Sequence, residues 1–230
     1  MRKVSIIIPA YNESRTLPEI ISRVYAVALP NWQKEVIVVD DGSTDNSEVV
    51  LKELAFKYLD LKVVQKSNGG KGSAIKKGLD FVTGDYVLIQ DADLECDPAD
   101  YPKLLAPITE ASDISVMGSR NIVGSNEMKK SGLRYGNLAL TKIFNILIGS
   151  KLTDITGCYK VFPSHIIDKV RSLPSNDFVF DAIELTYTML RNTKVVEVPV
   201  HYYPRTVSDG KKLRIKDGFK CLKGLIKLVI

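Results

Sequence analysis

Short runs of β-branched and apolar residues alternate along the chain with longer stretches of helical period. The runs lie at 3–8 (KVSIII), 35–40 (EVIVVD), 61–65 (LKVVQ), 85–90 (DYVLIQ) and 113–118 (DISVMG). Each is short and nearly continuous in apolar character, as expected of strands buried on both faces. Between them, 16–29, 45–59 and 71–82 carry the spacing of helices, and the second opens with Asp45-x-x-Glu48, a capping-box pattern. A further apolar helix is expected at 138–148 (LALTKIFNILI) and a late strand at 195–203 (VVEVPVHYY), joining the sheet from its far side. Strands separated by single helices imply right-handed βαβ units and a mostly parallel sheet. No repeat or Gly/Ser linker interrupts the 230 residues, so one α/β domain is expected.

The polar segment at the exit of each strand changes the picture. The first run leads into Pro9, Tyr11 and Glu13, the second into Asp40-Asp41-Gly-Ser-Thr, and the third into Asn68-Gly-Gly-Lys71-Gly. The fourth, 86–89, ends in Asp91-Ala92-Asp93-Leu-Glu95-Cys-Asp97. In an open α/β sheet, ligands bind outside the carboxyl ends of the strands, so these polar segments are expected to converge on one crevice. No G-x-G-x-x-G or Walker order comes after a strand, which disfavours a dinucleotide site and a P-loop. The amides of the NGGKG turn and Lys71 suit an anion at a helix start. Asp91 and Asp93 are two residues apart, so on an extended backbone both project to one side. Oxygen ligands of this kind suit Mg2+ or Mn2+ held jointly with substrate phosphates. Asp97, ahead of Pro98, and Asp100 read instead as acids that start the next helix.

Composition adds one asymmetry. The net charge is +5, yet residues 211–230 carry seven basic side chains and one acid while the rest of the chain sums to −1. That argues against a general nucleic-acid binder and for one local basic surface. In 213–230, Ile215, Phe219, Leu222, Ile226 and Val229 form an apolar stripe, with Lys216, Lys220, Lys223 and Lys227 along its flank. The stripe fits a helix packed on the core and equally one lying on an anionic leaflet. The 138–148 helix reads equally as a core helix and as one bordering a lipid path. Cys96, Cys158 and Cys221 are far apart and odd in number, so a disulfide framework and a zinc site are not expected and a reducing compartment is. The N-terminus has no signal-peptide pattern, and no apolar run reaches the ~20 residues of a spanning helix. Val229-Ile230 ends the chain without a cap, which predicts membrane contact, a membrane-protein partner or a longer parent sequence.

Taken together, VSIIIPAYNE, VIVVDDGSTD, NGGKGSAIKKG, DADLECDP and SRN resemble the successive motifs of family 2 glycosyltransferases. LTDITGCYKVF, EVPVHYYPRTVSDGKKL and the arginine of SGLRYGN resemble the branch containing dolichyl-phosphate mannose synthase and polyprenyl-phosphate glucosyltransferases. The resemblance spans essentially the whole chain. It implies a GT-A fold, a Rossmann-like three-layer sandwich with a nucleotide-sugar half at 1–120, an acceptor half at 121–212 and an amphipathic C-terminal helix. It further implies that Pro9, Tyr11, Glu13, Asp40 and Asp41 line the base and ribose pocket, joined by Lys71, Asp91, Ala92, Asp93 and Arg120 around the donor. Asp91 and Asp93, with Glu95 adding a third anion, would hold Mg2+ or Mn2+. Arg134, Arg205 and Lys212 would grip the acceptor phosphate, with Asp93, Arg134 and Arg205 closest to the reacting centre.

Two positions depart from the family pattern. Glu95 stands where glutamine is usual, and Lys160 ends TGCYK where the family has SGFR. The reaction implied is inverting transfer of a hexose from GDP-mannose or UDP-glucose to a polyprenyl phosphate, at the cytoplasmic membrane face. A phosphate acceptor is already an anionic nucleophile, so neither Asp177 nor Asp181 is named as a base, and Glu184 is expected to line a helix near the site. A family 2 enzyme acting on a hydroxyl acceptor would need such a base. A nucleotide-sugar-binding module without turnover is the reading outside enzymes.

Overall fold

The strands of the computed structural model are β1 (Arg2–Ala10), β2 (Trp32–Asp40), β3 (Lys62–Gln65), β4 (Tyr86–Ile89), β5 (Ile114–Ser119), β6 (Lys160–Pro163) and β7 (Lys194–Pro199). The helices are α1 (Leu17–Ala26), α2 (Ser47–Lys57), α3 (Lys71–Leu79), α4 (Tyr101–Leu105), α5 (Gly132–Ile148), α6 (Ile167–Arg171), α7 (Thr186–Asn192) and α8 (Ile215–Val229). A π-helical segment, Phe180–Leu185, runs directly into α7. The structure describes residues 1–109, 113–122, 132–205 and 215–229.

One sheet takes the order β3-β2-β1-β4-β6-β5-β7. The pairings β1–β2, β2–β3, β1–β4 and β5–β7 are parallel, and β6 runs antiparallel to both its neighbours. The mostly parallel sheet expected from the alternating pattern is therefore present. β6 has no counterpart among the expected strands: KVFP is four residues long and fully buried, so it shows no alternation, and a lysine opens it. The late strand ends at Pro199, at the sheet's edge beside β5. Past it, Tyr202 and Cys96 form an isolated bridge.

Consecutive residues of the central strands point to opposite faces, and both faces are covered. Ile6 and Ile8 pack with Val36, Val38, Leu88 and Val161 under α1, α2 and α4. Ile7 packs with Ile37, Val39, Val87, Ile89 and Phe162 under α3, α5, α7 and α8. Fully burying each such side chain contributes about 1.5–3 kcal/mol, which explains why runs of unbroken apolar residues, rather than alternating ones, mark these strands. The result is the three-layer α/β sandwich.

Local signals at two helix starts are answered differently from expectation. Asp45 does not cap α2 as a box with Glu48: its Oδ1 accepts from the Ser47 amide, while Oδ2 accepts from the Ser14 amide across the crevice. Glu48 pairs with Lys52 instead. Asp97 does cap the turn after it, accepting from the Ala99 amide. Asp100 is buried, with its oxygens on His201 and Lys103, so it ties β7's exit to α4 as well as starting that helix.

On α8 the most deeply buried positions lie off the expected stripe. Cys221 and Leu225 are fully buried, and Gly224 lies so close to Val179 that a Cβ there would sit 2.4 Å from its Cγ1. Phe219 is 70% and Ile226 45% exposed, beside the exposed Lys220, Lys223 and Lys227. At these two positions the apolar stripe faces outward, because α5 and the π segment cover the opposite side. α5, packed against α8, also exposes Tyr135, Ile143, Ile146 and Leu147.

The cysteine expectation is corrected. Cys96 and Cys158 form a disulfide across 62 residues of sequence, because the antiparallel pairing of β4 and β6 sets the turn after one beside the segment before the other. Cys221 is free and buried, and burial pushes its thiol up to about 12.

Candidate active site

Strand order reverses direction at β1: the chain lays β2 and β3 on one side of it and β4 on the other. The crevice at the carboxyl ends of β1 and β4 is thus a topological switch point. It holds a cavity of about 580 Å³. Twelve of the residues expected from sequence line it: Pro9, Tyr11 and Glu13 after β1, Asp41 after β2, Lys71 at the start of α3, Asp91, Ala92, Asp93 and Glu95 after β4, and Arg120, Arg134 and Arg205 from the second half. Asn137 of α5 and Asp217 of α8 also line it, so the two helices with exposed apolar faces border its wall.

The turn after β4 is not extended. Leu94 takes a left-handed φ of 63°, a conformation uncommon for a branched side chain and found most often where surrounding structure enforces it. Asp91 and Asp93 both line the cavity, but each faces a different cation. The Asp91 Oδ1 lies 2.7 Å from the Lys71 ammonium, whereas Asp93 Oδ2 lies 3.1 Å from an Arg205 nitrogen and its Oδ1 accepts from the Glu95 amide. Burial pushes the Asp91 carboxyl up, and Asp93 and Asp181 add to the push against Lys71. Asp93 is raised the same way, by burial and Glu95 against Arg205.

Glu95 is committed elsewhere. Its Oε1 accepts from the Arg205 backbone amide at 2.8 Å and its Oε2 from the Tyr202 hydroxyl at 3.0 Å. It thereby pins the 202–205 segment over the acidic turn, and the expected set of Asp91, Asp93 and Glu95 around one ion is not assembled. Among the described residues no group of three or more such ligands is.

Arg205 bridges Glu13 and Asp93, with 3.2 Å to the first and 3.1 Å to the second. Arg120 is also engaged. It makes a two-pronged contact with Asp154 (2.7 and 2.9 Å), donates to the Thr156 hydroxyl at 2.7 Å and stacks 4.9 Å from the Tyr202 ring centre. Burial alone would raise the Asp154 carboxyl, but Arg120 outweighs it and holds the group below the usual carboxylate range. Asp154 is not among the residues expected from sequence. Nothing local marks it, 34 residues away from its partner.

The anion expected at the NGGKG turn is supplied by the protein. Gly69 and Gly70 donate their amides to Asp41, which also receives Lys66 at 2.6 Å. Gly70, at φ 94°, makes this approach possible. Asp40, in contrast, turns away from the cavity. Its Oδ1 accepts from the amide and hydroxyl of Ser43, so of the expected pair only Asp41 reaches the lining. Lys212 lies outside the described residues.

Behind Lys71, the buried Asp181 accepts from the same ammonium at 2.7 Å, and Lys160 approaches it at 3.2 Å from below. Burial works against the Lys71 charge, yet Asp181 and Asp91 outweigh it and hold the ammonium well above the ordinary lysine range. Asp177 accepts from the Val179 amide and pairs with Lys220, and Glu184 holds the amide and hydroxyl of Ser175. None of these three acids lines the cavity. Glu184 lies on the helical segment, as expected of it, with its oxygens on Ser175.

The glycosyl transferase family 2 model matches residues 5–171. The chain belongs to that family. Within it, the chain is 30% identical over 218 residues to an undecaprenyl-phosphate 4-deoxy-4-formamido-L-arabinose transferase from Enterobacter sp. (strain 638), covering 92% of this chain and 63% of the relative. It is 31% identical over 237 residues to a dolichol-phosphate mannosyltransferase from Pyrococcus furiosus, covering 99% of this chain and 64% of the relative. The chain thus spans less than two thirds of the length of these relatives. Among solved structures, glucosyl-3-phosphoglycerate synthase from Mycobacterium tuberculosis, in complex with Mn2+, UDP and phosphoglyceric acid, superposes with a TM-score of 0.72 at 19% identity, over 98% of this chain and 78% of that one. A mannosyltransferase from Pyrobaculum calidifontis, in complex with GDP-Man and Mn2+, gives 0.60 at 19% identity, over 86% and 55%. These likenesses establish the GT-A fold.

Proposed function

We propose that this chain transfers a hexose from a nucleotide sugar, GDP-mannose or UDP-glucose, to a polyprenyl phosphate with inversion at the anomeric carbon. The observation that carries the reading is one cavity in which paired acidic and basic groups meet beneath two helices that expose apolar side chains. The acids after β4 and the arginines at 120, 134 and 205 surround it. A lipid-linked phosphate needs such a combination: charge at the reacting end and an apolar path for the tail. The names of the relatives, an undecaprenyl-phosphate and a dolichol-phosphate transferase, support the same acceptor class.

Asp91 and Asp93 fit a divalent ion. They are hard oxygen donors, both held above the ordinary carboxylate range by burial and like charge, so the turn is short of positive charge. Mg2+ or Mn2+ bound there would supply electrostatic stabilisation to the departing diphosphate. Glu95 does not fit as a third ligand, since both its oxygens hold the 202–205 segment. Pro9, Tyr11 and Asp41 form the wall for base and ribose, and Lys71 faces the diphosphate. Arg134 and Arg205 orient the acceptor phosphate, their planar guanidiniums matching phosphate oxygens. The acceptor oxygen is already anionic, so the site positions it rather than deprotonating it. A hydroxyl acceptor would need a carboxylate base, and Asp177 and Asp181 both stand away from the cavity lining.

No helix among the described residues is long and apolar enough to cross a membrane. Attachment to the cytoplasmic leaflet would run through α8 and α5, where Phe219 and Ile226 lie open beside lysines. Each lysine near an anionic surface contributes roughly 1 kcal/mol. Exchanging Lys216, Lys220, Lys223 and Lys227 together for glutamine should lower binding to phosphatidylglycerol vesicles by at least ~10-fold in a sedimentation assay. Unchanged sedimentation would refute the attachment. The function itself is tested by a panel of nucleotide sugars offered with a short polyprenyl phosphate and Mn2+. A glycolipid product from GDP-mannose or UDP-glucose is expected. Transfer only to hydroxyl acceptors, or no transfer from any donor, would overturn the reading.

A further inference from the structure

Buried charges are costly, and the fold places two of them, Lys160 and Asp181, in line behind the partly exposed Lys71 and Asp91. Lys160 is fully buried, with its ammonium 3.0 Å from the Gly157 carbonyl and 3.2 Å from Asp181 Oδ1. Asp181 Oδ2 lies 2.7 Å from Lys71, which lies 2.7 Å from Asp91. Of the four, only Lys71 and Asp91 line the cavity. Neither an acid nor a base that never meets the ligand is required by the chemistry proposed above, so the inner pair calls for its own explanation.

The segment bearing Asp181 is built to hold it still. It is π-helical, a rare geometry that shifts side-chain direction by one residue and recurs at functional sites. The segment and the chain just before it pack on the start of α3: a Cβ on Gly72 would fall 2.6 Å from Phe180 Cβ, and the Ser73 amide donates to the carbonyl of Asn176, four residues ahead of the segment. Asp181 and Lys71 are therefore on elements packed directly against each other, although 110 residues separate them. Asp91, the other partner of Lys71, belongs to the turn that would take up a divalent ion. An ion held there would draw Asp91 away and leave Lys71 with one anchor fewer. A lysine left without an anchor can swing on its four-carbon stem into solvent; one that keeps Asp181 stays at the cavity wall.

We infer that Asp181, neutralised from below by Lys160, is a positioning residue that keeps the Lys71 ammonium facing the nucleoside diphosphate once Asp91 is engaged by a divalent ion. This rests on the nucleotide-sugar reading of the site. It also gives a reason for the lysine at position 160: with Lys71 alone, two carboxylates would compete for one ammonium, and the second lysine keeps the buried charge balanced.

The test measures binding of UDP and GDP by calorimetry, with and without Mn2+, in the unaltered chain and in K71M, D181N, K71M/D181N and D181N/K160M. With Mn2+, K71M and D181N should each weaken binding of the preferred diphosphate about tenfold, the worth of one charge-assisted contact. The K71M/D181N protein should bind no more weakly than either single variant, within about twofold, because Asp181 acts through Lys71. Without Mn2+, Asp91 still holds Lys71, so D181N should bind like the unaltered chain. A merely structural role would not depend on the ion. Because D181N leaves Lys160 buried without a carboxylate, D181N/K160M serves as the variant with a neutral interior and should show the same Mn2+-conditional loss. Additive losses, equal losses with and without Mn2+, or no loss would each overturn the inference while leaving the proposed function standing. Failure of the unaltered chain to bind either diphosphate would overturn both.

Discussion

Exchanging Asp93 for asparagine should lower Mn2+-supported sugar transfer by at least ~100-fold while leaving the chain folded, because removing one preorganised electrostatic partner of developing charge typically costs about 10²–10³ in rate. Asparagine keeps the oxygen that accepts the Glu95 amide, so the turn with its left-handed Leu94 should persist. Stability should hold or rise, because Asp93 sits among Glu13, Asp91 and Glu95 and its charge is disfavoured by burial. The check is a pair of measurements: initial rates across a Mn2+ series, and thermal melting. Full activity in a well-folded D93N protein would remove the acidic turn from the reaction.

The largest effect on stability is expected at Asp154, a residue with no proposed contact to substrate. Its side chain is fully buried, and it receives both prongs of Arg120 together with the Arg120 backbone amide. Asp154→Ala strands that guanidinium in the interior, and breaking a buried pair from one side costs about 3–5 kcal/mol. Urea denaturation should show the loss, and D154A/R120M should recover a large part of it by removing the stranded charge. The folded-state carboxyl is held below its ordinary value, so its contribution is present above the unfolded pKa of about 3.9 and disappears as pH falls through the folded one. The gap between the unaltered chain and the alanine variant should therefore narrow below about pH 4. A gap that stays constant down to about pH 2 would show that the ion pair is not the source.

These two sites differ in how legible they are in the sequence. Asp93 stands out because its surroundings are local: an apolar run, then alternating acids at its exit. Asp154 sits in LTDIT with no periodic or compositional mark, and only the pairing of β4 with β6 and of β6 with β5 brings its loop to Arg120. Glu95 shows an intermediate case. Its place beside the site is legible, but its oxygens face Tyr202 and Arg205, and neighbours 107 and 110 residues away cannot be inferred from spacing. Asp40 and Asp41 look interchangeable in VVDDGST, yet strand alternation sends one carboxylate into the Ser43 turn and the other to the Gly69 and Gly70 amides.

By itself, the order of residues determined the βαβ rhythm, the mostly parallel character of the sheet and the gathering of polar segments at one end of it. Those depend on short-range facts: which side chains suit a pleated strand, which turns need glycine, and where buried strands must end. Tertiary structure alone decided which face of α8 is buried, whether Cys96 finds Cys158, and which cation each carboxylate of the acidic turn faces. Direction, burial and charge pairing at those positions are set by partners tens of residues away, and their energies exist only once the sheet has brought them within a few ångströms.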